Sequence, residues 1–232
     1  MSIGVDETDV ATAGELAEGR QDAEVPRRLS REARMPQILE AALAEFAERG
    51  YGGARMAAVA SRVGIAKGLI YHYFPSKTHL FQAAIRACAG PVLADAERRV
   101  AEMTGSAWEL LRTLLEIGYA QVGEEGRKRH LVRLVIAEAE HFPELSRLYE
   151  EEILRPAIAI ARSVLRAGAA SGEFRAEIAE AEGLAEVMMA PTMMCSVWRM
   201  MLGEASAPAP EAMLAVHLDL LRRSLTKTAA GA

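Results

Sequence analysis

A short apolar set at Met56, Val59, Ala60 and Val63 closes on Gly64, and a second short run from Ala66 to Phe74 is ended by Pro75. Two short helices joined by a tight, glycine-containing turn are the signature of a helix-turn-helix. Upstream, Ile38, Leu39, Ala42, Leu43, Phe46 and Ala47 recur at helical spacing until Arg49 and Gly50 stop the run. Pro36 suits the opening turn of that helix, where a missing N–H costs little; Ser30 as an earlier cap would instead put a kink at the proline. Downstream, Ser76 can cap a helix carrying Leu80, Phe81, Ala84 and Ile85, which continues past a kink at Pro91 towards Met103 and links two domains.

The remainder reads as helices as well. Ser106 and Glu109 form an S-x-x-E capping box ahead of Leu110, Leu111, Leu114, Leu115 and Ile117, and that helix should stop near Gly123. Further helices are expected at about 127–140, 144–171 with a kink at Pro156, 178–202 and 210–226. No repeat and no strand is evident. The fold class is therefore all-α: an N-terminal three-helix helix-turn-helix domain (30–78), a larger C-terminal helical sensor and dimerisation domain (79–232), and an acidic tail (1–29) without sustained period that reads as disordered.

Charge is distributed unevenly. Residues 1–25 carry one Arg against seven acids, residues 26–80 nine Lys/Arg against four, and residues 81–232 seventeen against twenty-one. Phosphate contact is a local property, so a basic segment within an acidic chain suits a DNA-binding module; chance clustering on solvated faces would give the same count. No stretch approaches the roughly 20 apolar residues of a membrane span, and the N-terminus lacks a basic region followed by an apolar run. A cytoplasmic protein with no membrane partner is expected. Cys88 and Cys195 have no metal-type spacing and suit a reducing compartment as small apolar fillers, so no metal or other cofactor is expected.

If Ile70 and Phe74 face inward as an i, i+4 pair, Gly68 and His72 lie almost opposite, with Leu69 and Tyr71 on the flanks. An exposed Leu, Tyr and His on a short helix imply that it lies against something. The major groove accepts a helix of this width, and docking on the protein itself is the competing reading. Lys67 at the helix start and Lys77 just after Pro75 could neutralise phosphates beside the groove.

The run Ala47-Glu48-Arg49-Gly50-Tyr51, then Met56 to Ala60, then Val63-Gly64-Ile65-Ala66-Lys67-Gly68-Leu69-Ile70-Tyr71-His72-Tyr73-Phe74-Pro75-Ser76-Lys77 resembles the DNA-binding domain of TetR/AcrR-type repressors over residues 31–85. The resemblance implies that Lys67, Gly68, Leu69, Tyr71 and His72 line the DNA, with Tyr71 and Lys77 mostly on phosphates and Leu69 a base contact. Arg55 and a basic arm of Arg27, Arg28 and Arg31 would add backbone contacts. The chain departs from the family in having Ala54-Arg55 where a capping Thr is usual, Ala66 in place of a capping Ser, and Thr78-His79 in place of an acidic pair. Each lost cap costs roughly 1 kcal/mol. An apolar Leu69 points to a thymine methyl rather than hydrogen-bond readout.

The C-terminal part resembles the family in outline, through Phe142-Pro143-Glu144-Leu145, Leu165-Arg166-x-Gly168, Ser171-Gly172-Glu173-Phe174 and an apolar last section. That implies a homodimer paired through its final helices and a small-molecule inducer, hydrophobic in character, held inside each subunit. In the Met-rich run, Met189, Met193 and Trp198 are candidate ligand contacts, with core or dimer packing as the competing role. Tyr119, His130, Arg133 and Glu138 are polar candidates on or beside apolar helices. The resulting expectation is a sequence-specific regulator of transcription, a ligand-responsive repressor that binds a double-stranded operator. A helical protein-binding adaptor that has lost DNA binding is the alternative, opposed by the intact Lys67 to Lys77 run. No catalytic residues are assigned: the chain lacks G-x-S-x-G, P-loop, HExxH and dinucleotide-binding motifs, so an enzyme is not expected.

Overall fold

A computed structural model of the protein describes residues 30–102, 105–123 and 127–226, and among them every regular element is helical. The acidic tail, with Arg27 and Arg28, lies outside the described residues, as does the side chain of His130. Helix α1 (Arg31–Gly53) starts at Ser30, whose hydroxyl accepts the Ala33 N–H at 3.2 Å. Pro36 therefore sits beyond the opening turn, yet the helix is not broken there: Pro36 is exposed, so the carbonyl deprived of its N–H faces water. The only non-helical residue within the element is Gly50, at φ 68° and ψ 174°.

Helix α1 turns Ile38, Ala42, Leu43 and Phe46 towards α2 (Met56–Arg62), α3 (Lys67–Tyr73) and the first half of α4 (Lys77–Ala101), which supplies Leu80, Phe81, Ala84 and Ile85. Phe46 and Tyr51 pack on Phe81 with ring centroids at 5.0 and 5.3 Å, edge to face. Neither α2 nor α3 has a side-chain cap, as Arg55 and Ala66 lead one to expect. Part of that loss is made up at α2, where the buried Glu45 accepts the Arg55 N–H at 3.3 Å and pairs with Arg62 at 3.1 Å.

A second core joins α5 (Ala107–Gly123), α8 (Arg155–Ala170), α10 (Leu184–Leu202) and α11 (Pro210–Leu225). The two cores are not insulated, because Leu134 of α6 (Arg127–Glu138) and Leu145 and Leu148 of α7 (Pro143–Tyr149) complete the first one.

Two local expectations are corrected and a third is given its form. The carboxylate that caps α5 belongs to Glu173, not Glu109: it accepts the Ala107 and Trp108 N–H groups at 2.7 and 3.0 Å, while Glu109 is exposed. Burial raises the Glu173 pKa, but the hydrogen bonds from Ser106 and those two amides outweigh it and leave it lowered. The expected helix 144–171 runs without a break from α7 into α8, and the kink expected at Pro156 takes the form of a wider π-turn at Glu150–Leu154, just ahead of the proline, which cannot donate to the preceding turn. The expected helix 178–202 is interrupted between α9 (Ala176–Ala179) and α10 by Gly183, whose φ of 83° ends the continuity.

Candidate nucleic-acid interface

Helix α3 is held from one side only. Ile70 is fully buried and Phe74 nearly so, whereas Lys67, Gly68, Leu69, Tyr71 and His72 all face solvent, Leu69 and Tyr71 being 41% and 46% exposed. A β-carbon on Gly68 would meet nothing within 4 Å, so no contact inside the protein requires glycine there. Tyr71 and His72 do not dock on their own chain, which removes the competing reading of this face. Arg55, at the start of α2, is exposed, and the Arg31 guanidinium lies 5.5 Å from the centre of the Tyr73 ring at the edge of α3.

Lys77 is placed differently from the expected phosphate contact. Its ammonium donates to the carbonyls of Tyr51 and Gly52 at 2.6 and 3.2 Å and lies 4.6 Å from the centre of the Tyr51 ring. The same two residues are held from the other side, since the Glu138 carboxylate accepts the Tyr51 and Gly52 N–H groups, each at 2.9 Å. Glu138 is thereby corrected from ligand candidate to clamp. A β-carbon on Gly50 would lie 2.2 Å from Glu138 Oε1, so this approach, like the positive φ, calls for glycine.

Residues 38–84 match the model of bacterial regulatory proteins of the tetR family, and residues 101–221, more than half of the chain, match the tetracyclin repressor-like C-terminal domain. The chain belongs to the TetR family. Among its relatives, the HTH-type transcriptional regulator YezE of Bacillus subtilis is 28% identical over 153 residues, 65% of this chain and 78% of YezE. The transcriptional repressor KstR of Mycobacterium tuberculosis is 40% identical over 70 residues, 30% of each chain. A transcriptional regulator of Saccharomonospora viridis solved in complex with choline shares the fold at a TM-score of 0.66 and 22% identity, over 85% of this chain and all of that one. This TetR-family member is thus a DNA-binding transcriptional regulator and not an enzyme. No helix among the described residues is long and apolar enough to cross a membrane.

Among the described residues, the C-terminal domain of this TetR-family chain contains two adjacent spaces. One, of about 410 Å³, lies between α5, α6, α8 and α10 and is lined by Gln121, Val132, Glu186, Met189 and Met193 among others. The other, of about 140 Å³, is almost wholly apolar, runs from Leu111 and Leu115 to Val92, Leu93 and Ala96 of α4, and shares Gly118, Met189 and Thr192 with the first. Met189 and Met193 line the larger of the two spaces. Trp198 lines neither space: it is 37% exposed on the outer face of α10. Arg133 is exposed. Tyr119 is buried in a separate cluster, its hydroxyl 3.3 Å from His217 Nδ1, beside a groove between α10 and α11. Sequence reasoning did not single out Glu45 or Glu173 for these contacts and gave Glu138 a different role, because none carries a local signature of its partner.

Proposed function

We propose that this regulator is a ligand-responsive repressor that acts as a homodimer on an operator near its own gene. The single observation that carries the DNA-binding face is α3, where Ile70 and Phe74 hold the helix while Lys67, Gly68, Leu69, Tyr71 and His72 are left outward. In this reading Leu69 meets a thymine methyl, Tyr71, Lys67 and Arg55 meet phosphates, and Gly68 allows the backbone to come close. Lys77 acts chiefly through the α1 turn that it supports. Residues 30–78 form the reading head and 79–232 the sensor, and the protein works in the cytoplasm. Repression is supported by likeness to KstR over the reading head, and response to a small molecule by the two cavities together with the choline complex of a protein of the same fold.

The homodimer is supported by the face shared by α10 and α11. Val187, Met194, Trp198 and Met201 on one helix and Val216 and Leu220 on the other are all exposed, Met201 at 74%. So large an apolar face is better suited to a self-complementary partner than to water. Two recognition helices would then enter successive major grooves about 34–36 Å apart.

Both routes from cavity to reading head run through single helices. Helix α4 carries Val92, Leu93 and Ala96 at the small cavity and Leu80 to Ile85 in the head core; α6 carries Val132 at the large cavity and Glu138 at the α1 clamp. A ligand preferring one separation of the two heads shifts the population towards it. The test is fluorescence anisotropy with the upstream DNA of its own gene across a salt series. Saturable binding that weakens steeply with salt is expected, and salt-insensitive or absent binding would reject the reading.

A further inference from the structure

The large cavity contains one polar atom whose needs the protein does not meet. Glu186, in the first turn of α10, is 42% exposed as a side chain and pairs through Oε1 with Nη2 of Arg162, but its Oε2 is turned away from water and has no hydrogen-bond partner. An ionised carboxylate only accepts hydrogen bonds, and a buried acceptor left without a donor is rare enough to need an explanation. Its surroundings narrow that explanation. Among the described residues no Lys, Arg or His lines either cavity, and Met189 and Thr192 are shared with the adjoining apolar space that ends on α4.

We propose that the effector is an amphipathic amine: a protonated nitrogen bearing N–H, donated to Glu186 Oε2, with an apolar tail running past Met189 and Thr192 towards Leu111, Leu115 and the α4 residues Val92 and Leu93. This rests on the ligand-responsive reading and gives it a chemical class. The head group carries N–H because the free oxygen can only accept, and it is cationic because Glu186 is the one formal charge among the described residues of the cavity wall. Carboxylate and phosphate heads are disfavoured by the same oxygen, which would face another acceptor while the Arg162 guanidinium is already held on Oε1. The tail is apolar because the inner space offers almost nothing but aliphatic carbon and methionine. The direction of insertion has a regulatory meaning, since the tail end touches the helix that carries the reading head.

The experiment uses the full-length protein with octylamine, octanol and octanoate, titrated by calorimetry at neutral pH. Octylamine should bind at least about tenfold more tightly than octanoate, with octanol between them. Glu186→Gln keeps an oxygen for Arg162 and puts an N–H₂ donor where the free oxygen was. It should lose about tenfold for octylamine and lose the discrimination against octanoate. Met189→Trp, which fills the junction of the two spaces, is the second variant, and octylamine should not bind to it while the helical circular dichroism is unchanged. Equal binding of octylamine and octanoate by the natural protein, or octylamine binding that Glu186→Gln leaves intact, overturns the proposal. Glu186-dependent binding that leaves operator affinity unchanged would instead establish the site and reject the ligand-responsive reading.

Discussion

Two surfaces of this molecule leave large apolar side chains in water, and their surroundings differ. On α3, Leu69 and Tyr71 stand beside Lys67, on a short helix anchored by Ile70 and Phe74. On α10 and α11, Val187, Met194, Trp198, Met201, Val216 and Leu220 form a broader face whose charged residues, such as Asp219 and Arg223, pair with one another at 2.9 Å. The first surface keeps a cation beside its apolar groups, which suits a polyanion. The second pairs Asp219 with Arg223 within one helix, which suits a copy of itself. Exposure of apolar groups is common to both, so the state of the neighbouring charge distinguishes the partner.

The strongest way to break this comparison is to place charge on the second surface. Trp198→Asp with Met201→Asp should yield a monomer by sedimentation, and operator affinity should fall by about 100-fold or more because the two half-sites are then bound independently. A dimer that persists would show that the face serves another partner. A next, smaller effect is expected where the two halves of the chain meet. Glu138→Ala removes a charged acceptor from two backbone N–H groups and should lower stability by about 2 kcal/mol in urea denaturation. Lys67→Ala should follow, weakening binding to every sequence by about tenfold and reducing the salt slope by about one, whereas Leu69→Ala should change preference at one base position. Uniform losses from both would erase the division between phosphate and base contacts.

The smallest expected effect lies at His217, beside the α10–α11 groove, whose pKa is lowered by burial. The folded protein holds this ring neutral more strongly than the unfolded chain does, so the unfolded state binds more protons as the pH drops. The associated stability is complete above about pH 6.5 and is lost as the pH falls from there through the folded pKa. Melting temperature should decline shallowly below neutrality, and His217→Gln should flatten that part of the profile.

The reading head was legible because its determinants lie close together in the chain. Gly64, Pro75 and the Ile70–Phe74 spacing fix two short helices and their outward residues within twenty positions or so. The sensor was legible as helices and less so as contacts. Glu173 displaced Glu109 at the start of α5 because a carboxylate brought in by the fold reaches two N–H groups that Glu109 does not. Glu138 sits at the end of an amphipathic helix, and nothing in its spacing shows that its partners are Tyr51 and Gly52. Trp198 looked like a cavity residue because a sequence reports hydrophobicity but not which side of a helix meets a void. Lys77 was read by its charge, and the structure has it bound to two carbonyls through the geometry of Gly50.

The arrangement around Tyr51 and Gly52 also shapes how a signal can cross the molecule. The peptide between them donates its N–H to an anion from the sensor and offers its carbonyl to a cation from the start of α4, so its dipole lies between opposite charges. Turning that peptide would set like poles against both of its neighbours. A joint of this kind resists small disturbances and then gives way at once, so the reading head should answer effector with a threshold and not in proportion to every displacement of the helix behind it.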